Sequence, residues 1–295
     1  MVQNSRSLGL LLGLVAVVMF GGSLPATRIA VAYLDPWFVT AARAAIAGIL
    51  ALGTLAISRP PYPRQYTMRL GLISLCLVIG FPALLAIASV TVPATHASVI
   101  LGLLPLATTV AAVPLAGERP SLVFWILSLI GAGLVAAFAL RDGNVAVVTG
   151  DIFLALAVTL TGVGYTLSGV MSRTMAGWQV IAWALLMALP LAIIVTIALW
   201  PANAASVPIG AWIGLIYVGA ISQFIGYAFW NVALAVGGVA RVGQLQLVQP
   251  FVSMGLAALF LGEAVDGEMI GFALAVVIVV ALGRRAAVRT TASSP

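Results

Sequence analysis

Gln223, Tyr227, Trp230 and Asn231 stand at i, i+4, i+7 and i+8, so a helix through them carries two amides, a phenol and an indole on one face. Gln246, Gln249 and Ser253 are spaced i, i+3 and i+7. Phe20, Ser23 and Thr27 share a face at the same spacing, and so do Tyr165, Ser168 and Ser172. These side chains bind rather than react. Amides and hydroxyls donate and accept hydrogen bonds, and rings offer flat apolar faces. Reaction chemistry has little to work with. The chain holds one cysteine, Cys76, and one histidine, His96, so neither an internal disulfide nor a thiolate metal cluster can form. None of its seven acids falls midway along an apolar run. Hydrolysis or acyl transfer needs a nucleophile with its base, a carboxylate pair or a metal. No catalytic residue, metal or cofactor is expected.

The elements that must position these faces are membrane helices. The chain is 63% hydrophobic and 7% charged, where soluble domains carry about 25% charge. The formal charge of +6 comes from thirteen arginines and no lysine. They fall singly or in small groups between apolar runs, which argues against nucleic acid and for membrane topology. A span needs about 20 apolar residues, and ten such runs fit at roughly 8–31, 36–57, 70–91, 95–117, 121–140, 150–172, 178–200, 209–233, 240–262 and 267–284. The first run is longer than the ~7–15 residues of a signal-peptide core, and is read as retained span 1.

The chain repeats itself at an offset of 145 residues. Pro105, Thr108, Ala112, Gly117 and Glu118 recur as Pro250, Ser253, Ala257, Gly262 and Glu263. Phe20, Ser23, Thr27 and Arg28 recur as Tyr165, Ser168, Ser172 and Arg173. The expectation is an all-α integral membrane protein of two five-helix repeats, 1–145 and 146–295, in one transmembrane domain. Five spans is odd, so the second repeat inserts upside down, a pattern of alternating-access carriers. With the N-terminus inside, ten arginines fall on inner segments and two, Arg28 and Arg141, on outer ones. The positive-inside rule then places both termini in the cytoplasm and the loop around 141–149 outside.

Ten spans in two halves, with Gly21-Gly22-Ser23 and Arg28 in span 1, Arg43 in span 2, Leu104-Pro105 through Gly117-Glu118, Gly150-Asp151, and Gln249-Pro250 through Gly262-Glu263, resemble the EamA branch of the drug/metabolite transporter superfamily. Within it the chain looks most like the YddG-type amino-acid exporters. The resemblance implies spans 1, 3, 4, 6, 8 and 9 around a central cavity and the others outside them. It also implies residence in a bacterial inner membrane.

Phe20, Ser23, Tyr165, Gln223, Tyr227, Trp230, Gln246 and Gln249 are the expected substrate contacts. The plainer reading of the serines and threonines is helix packing, since they commonly bond their own backbone. The halves differ: Gln223, Tyr227 and Trp230 correspond to Val78, Pro82 and Leu85, and Gln246 and Gln249 to Leu101 and Leu104. One wall is thus apolar and the other aromatic and amide-rich, which suits an amphipathic solute. Arg43 is the one ionised residue well inside a span. It either snorkels or pairs with a polar neighbour, or it meets a carboxylate. Phosphorylated solutes need several cations that this chain lacks. The expected function is export of amino acids, hydrophobic or aromatic, and of related neutral or zwitterionic metabolites. The alternative is export of hydrophobic cations or drugs through cation–π contacts. The expected partners are the small-molecule substrate and the lipid bilayer. His96 reads as a solvated or capping residue, and Glu118 and Glu263 as anchors of helix ends. Pro105 and Pro250, expected in mid-span where proline removes a helical hydrogen bond, are the candidate gating hinges.

Overall fold

A computed structural model describes residues 2–139, 149–237, 242, 244–285 and 288–290. The loop expected outside, Arg141–Val148, and Arg241 lie outside the described residues. The helical runs, numbered in chain order, are α1 (Leu8–Val31), α2 (Pro36–Ser58), α3 (Arg64–Thr91), α4 (His96–Ala116), α5 (Leu122–Ala139), α6 (Thr149–Met171), α7 (Gly177–Ala198), α8 (Ile209–Val236), α9 (Gln249–Leu261) and α10 (Gly267–Arg285). Seven of them, α1 to α4 and α6 to α8, are long and apolar enough to cross a membrane. Large apolar side chains such as Ile57, Leu129, Ile194, Ile197, Leu259 and Phe260 are exposed on their outer faces. A water-soluble protein does not display so many; here lipid covers them.

Local chemistry sets the ends of these runs. Asp35 opens α2 by accepting from the backbone of Trp37 and Phe38 at 2.8 and 3.1 Å, with Pro36 in the first turn. Both features satisfy or remove amides that a helix start leaves unpaired. Gly117 and Gly262 close α4 and α9 with φ of 68° and 65°, a left-handed turn in which a side chain is strained. These two glycines stand 145 residues apart, like the residues around them.

Several runs are broken inside the membrane. α1 is interrupted at Gly22. α3 contains a π-helical stretch at Ser74–Gly80 and α8 one at Tyr217–Gly226. In α4 the α-helix stops at Leu101 and restarts at Leu104, and α9 is preceded by a 3-10 turn at Gln244–Val248. Pro105 and Pro250 therefore sit in the first turn of a new helical segment, not in the middle of a continuous one as expected. There the missing N–H costs nothing. The interruption comes just before the proline.

α2 packs against α7, α1 against α8, α3 against α6, α4 against α6, and α5 against α10. Along α4 and α6 the backbones nearly touch: a Cβ on Gly162 would lie 2.6 Å from the carbonyl carbon of Ala107. Small residues permit this approach, and Thr166 bonds across it to the Thr108 carbonyl at 2.9 Å. One feature had no sequence signal. Glu118–Pro120 and Val288–Thr290 pair as two short antiparallel strands, tying the end of α4 to the segment after α10.

Candidate functional site

Four rings from three helices meet at the centre of the molecule. Phe20 of α1 lies 5.0 Å from Tyr227, 6.0 Å from Trp230 and 6.4 Å from Tyr165, centroid to centroid. Tyr165 of α6 lies 5.9 Å from Tyr227 and 5.7 Å from Trp230, both on α8. These are favourable aromatic distances. All four are buried. Beside them is a small space lined by Ser23 and Leu24 of α1, Phe81 and Leu85 of α3, Leu101 and Leu104 of α4, Ser222 of α8 and Gln249 of α9. Its lining comes from α1, α3, α4, α6, α8 and α9. The central cavity that the resemblance implies is, among the described residues, a small space. About 10 Å³ remains, room for one water, because the rings fill the centre.

Several polar groups around this cluster are unsatisfied. The Tyr227 hydroxyl, the Trp230 indole N–H, both amide atoms of Gln246 and the Gln249 carbonyl oxygen are buried without a hydrogen-bond partner among the described residues. Gln246 and the Tyr227 hydroxyl each lie beside the Tyr165 hydroxyl without making a hydrogen bond of good geometry. Each buried orphan costs about 1–3 kcal/mol, and native interiors hold few. Five such atoms lie around this one cluster. Thr27, on the face of Phe20 and Ser23, is also fully buried with its hydroxyl unpartnered.

Other residues singled out from the sequence bond one another or the backbone. Ser168 donates to Asn231 Oδ1 at 2.9 Å, Asn231 donates to the Gly177 carbonyl at 3.0 Å, and Ser172 bonds back to Ser168 at 2.7 Å. Ser253 donates to the Gly21 carbonyl at 2.9 Å, and Ser23 bonds Ser222, which sequence spacing did not single out. Gln223 does not line the central space. Its carbonyl accepts from Arg43 Nη2 at 2.6 Å and its amide donates to the Leu77 carbonyl at 3.0 Å. That carbonyl belongs to the π-helical stretch of α3. Arg43 does not snorkel: it is 1% exposed.

One end of the molecule is tied by ions. Arg28 Nε lies 3.0 Å from Glu263 Oε1, and its Nη1 donates to the Val92 and Ser89 carbonyls at 2.6 and 3.1 Å. The same Glu263 oxygen accepts from Ala94 N at 3.1 Å, and His96 Nε2 lies 3.0 Å from Asp151 Oδ1. Glu263 thus holds more than its own helix end, linking α9 to α1 and to the start of α4. His96 is paired rather than solvated. The Glu118 side chain lies outside the described residues. Among those residues no three His, Cys, Asp or Glu gather as a metal site.

The fold and the lipid-facing surface define an all-helical integral membrane protein. The EamA-like transporter family model matches it twice, over residues 7–139 and 148–283, and the chain belongs to that family, within the drug/metabolite transporter superfamily. It is 43% identical over 284 residues to an uncharacterized transporter, YdeK, of Bacillus subtilis, covering 96% of this chain and 99% of that one. It is 27% identical over 282 residues to a probable terminal-alkyne amino-acid exporter of Streptantibioticus cattleyicolor, covering 91% of each. A crystal structure of a protein 21% identical in sequence superimposes over 94% of this chain and 96% of its own, with a TM-score of 0.65. The family and these relatives point to a transporter rather than an enzyme.

Proposed function

We propose that the chain is a secondary transporter that exports amino acids, hydrophobic or aromatic, and related small zwitterionic metabolites by alternating access. The observation that carries this reading is the buried aromatic cluster with its orphaned amide, hydroxyl and indole groups. A flat apolar side chain would replace ring–ring contacts, and an amino acid's polar end would satisfy the orphans. The remaining walls of the space are leucine and phenylalanine, as an amphipathic cargo requires. The amino-acid exporter at 27% identity agrees with it. Hydrophobic cations are disfavoured because the Arg43 charge is felt at Tyr227 of the cluster and repels positive charge.

The proposal includes a topology of ten spans in two inverted halves, 1–145 and 146–295, with both termini cytoplasmic in a bacterial plasma membrane. Its supports are the doubled family match and the recurrence of π-helical stretches and left-handed glycine caps about 145 residues apart. Pairwise packing agrees, since α1 on α8 is the counterpart of α6 on α3. In this orientation the Arg28–Glu263 end faces outward and is closed.

Counterflow in proteoliposomes, with amino acids and quaternary-ammonium compounds in one panel, tests the function. Phenylalanine-like amino acids are expected to exchange and the ammonium compounds not to. Trp230→Ala and Tyr227→Ala are expected to lower exchange about 5- to 30-fold, the loss of one to two contacts each of ~1 kcal/mol. Exchange of the ammonium compounds alone, or full activity in both variants, overturns the assignment.

A further inference from the structure

Arg43 is a buried cation with no counter-anion among the described residues. Its guanidinium makes one side-chain bond, to a neutral amide, the Gln223 carbonyl at 2.6 Å. Its Nε and Nη1 have no partner, though the residue is 1% exposed. Of the described carboxylates, Glu263 is paired with Arg28 and Asp151 lies 3.0 Å from His96 Nε2. Guanidinium stays charged at any ordinary pH, and an unpaired buried charge is strongly unfavourable. A protein that only needed to fill this volume would place an apolar residue there.

The surroundings say what the charge is for. The Tyr227 phenol, a member of the aromatic cluster, is within electrostatic reach of Arg43, and its hydroxyl lies beside that of Tyr165 without a hydrogen bond of good geometry. Gln223 is held from behind by its amide bond to the Leu77 carbonyl, so its carbonyl oxygen presents a fixed partial negative charge to the guanidinium. Its chain neighbour Ser222 faces the central space. An arginine takes a carboxylate through two parallel N–H···O bonds, and Nη2, now held by Gln223, completes such a pair with either unpartnered nitrogen, Nε or Nη1, once Gln223 moves aside.

We infer that Arg43 binds the carboxylate of the cargo, and that the Gln223 carbonyl stands in for that carboxylate when no cargo is present. The inference rests on the amino-acid reading above and deepens it. The carrier is selective for the acid group, with the ring cluster holding the rest of the molecule. Since the guanidinium does not line the central space in this structure, the Gln223 side chain turns aside as cargo enters.

The test compares amino acids, simple aryl carboxylates without an amine, and the matching amides, all as competitors of counterflow. In the unaltered protein the acids are expected to compete at least tenfold better than the amides. Arg43→Gln is expected to erase that preference, with the amides competing as before. Gln223→Glu is the second variant, and it adds an anion where the carbonyl stood. It is expected to neutralise Arg43 internally, to raise the melting temperature, and to cut transport of acids at least tenfold while amides still compete. A purely structural Arg43 gives the same stabilisation by Gln223→Glu but leaves acid transport intact. That result, or an acid preference that survives Arg43→Gln, overturns the inference and leaves amino-acid transport standing. A carrier that moves no carboxylate of any kind overturns both.

Discussion

Orphaned and satisfied polar residues are expected to respond oppositely to mutation. Gln246 is buried with both amide atoms unpartnered, so Gln246→Leu removes an unpaid desolvation cost of about 1–3 kcal/mol. The variant is expected to melt at a higher temperature in detergent and to transport more slowly, a trade of function for stability. Ser168→Ala leaves the Asn231 carbonyl without its donor and is expected to destabilise by about 0.6–1.7 kcal/mol, with transport per folded molecule retained. Parallel thermal-shift and counterflow assays check both. A stabilised Gln246→Leu with full transport makes the amide an accident of packing. Helical spacing alone brought Phe20, Tyr165, Tyr227 and Trp230 to the centre of the sequence reading, and the structure gathers them. The partner choices were hidden. Arg43 and Gln223 are 180 positions apart, and nothing local in the chain tells whether Gln223 faces a cavity or a cation. Ser168 and Asn231 read as equals of Gln223 by spacing, yet they bond each other.

At the scale of the element, hydropathy located the helices well: runs placed at 36–57 and 178–200 are Pro36–Ser58 and Gly177–Ala198. Their interruptions were not legible. Apolar residues face lipid on one side and protein on the other, so no periodicity separates α from π winding. Proline marked the breaks in α4 and before α9 but not their position just upstream of it. The strand pair had no alternating apolar pattern to announce it. The prolines nonetheless keep a testable role. In the first turn they block backward extension of the helix, because ring and carbonyl clash. Pro105→Ala and Pro250→Ala permit that extension at little cost, about 1 kcal/mol or less either way. The expected outcome is near-normal melting but altered access of introduced cysteines, on a Cys76→Ser background, at opposite mouths in the two variants. Changes at the same mouth, or none, remove the hinge role from these prolines.

For the whole molecule, the ionic cluster at the end of α1, α4, α6 and α9 is the fastening of one face. Its repeat counterparts are Arg173, which is exposed, and Glu118. Glu263→Gln is expected to increase labelling at the Arg28 end about 2- to 5-fold, as loss of a part-exposed ion pair worth up to about 1 kcal/mol allows, and Arg173→Gln to lower it. Labelling from outside intact cells, beside a reporter fused to the C-terminus, reads the gate and the orientation together; a C-terminus outside, or both variants opening one face, defeats the scheme. Gln223 carries the last consequence. It ties the π stretch of α8 to the Leu77 carbonyl of α3, and its counterpart Val78 cannot return the bond. In the proposed alternating-access cycle the two end states then differ in free energy, and the empty protein is expected to rest mostly facing one way. Half-saturation concentrations for influx and efflux should then be unequal. If transport is passive, the ratio Vmax/KM must still be identical in both directions, because no gradient can arise from a resting bias alone. Unequal ratios would mean that a second, energy-supplying solute crosses with the cargo.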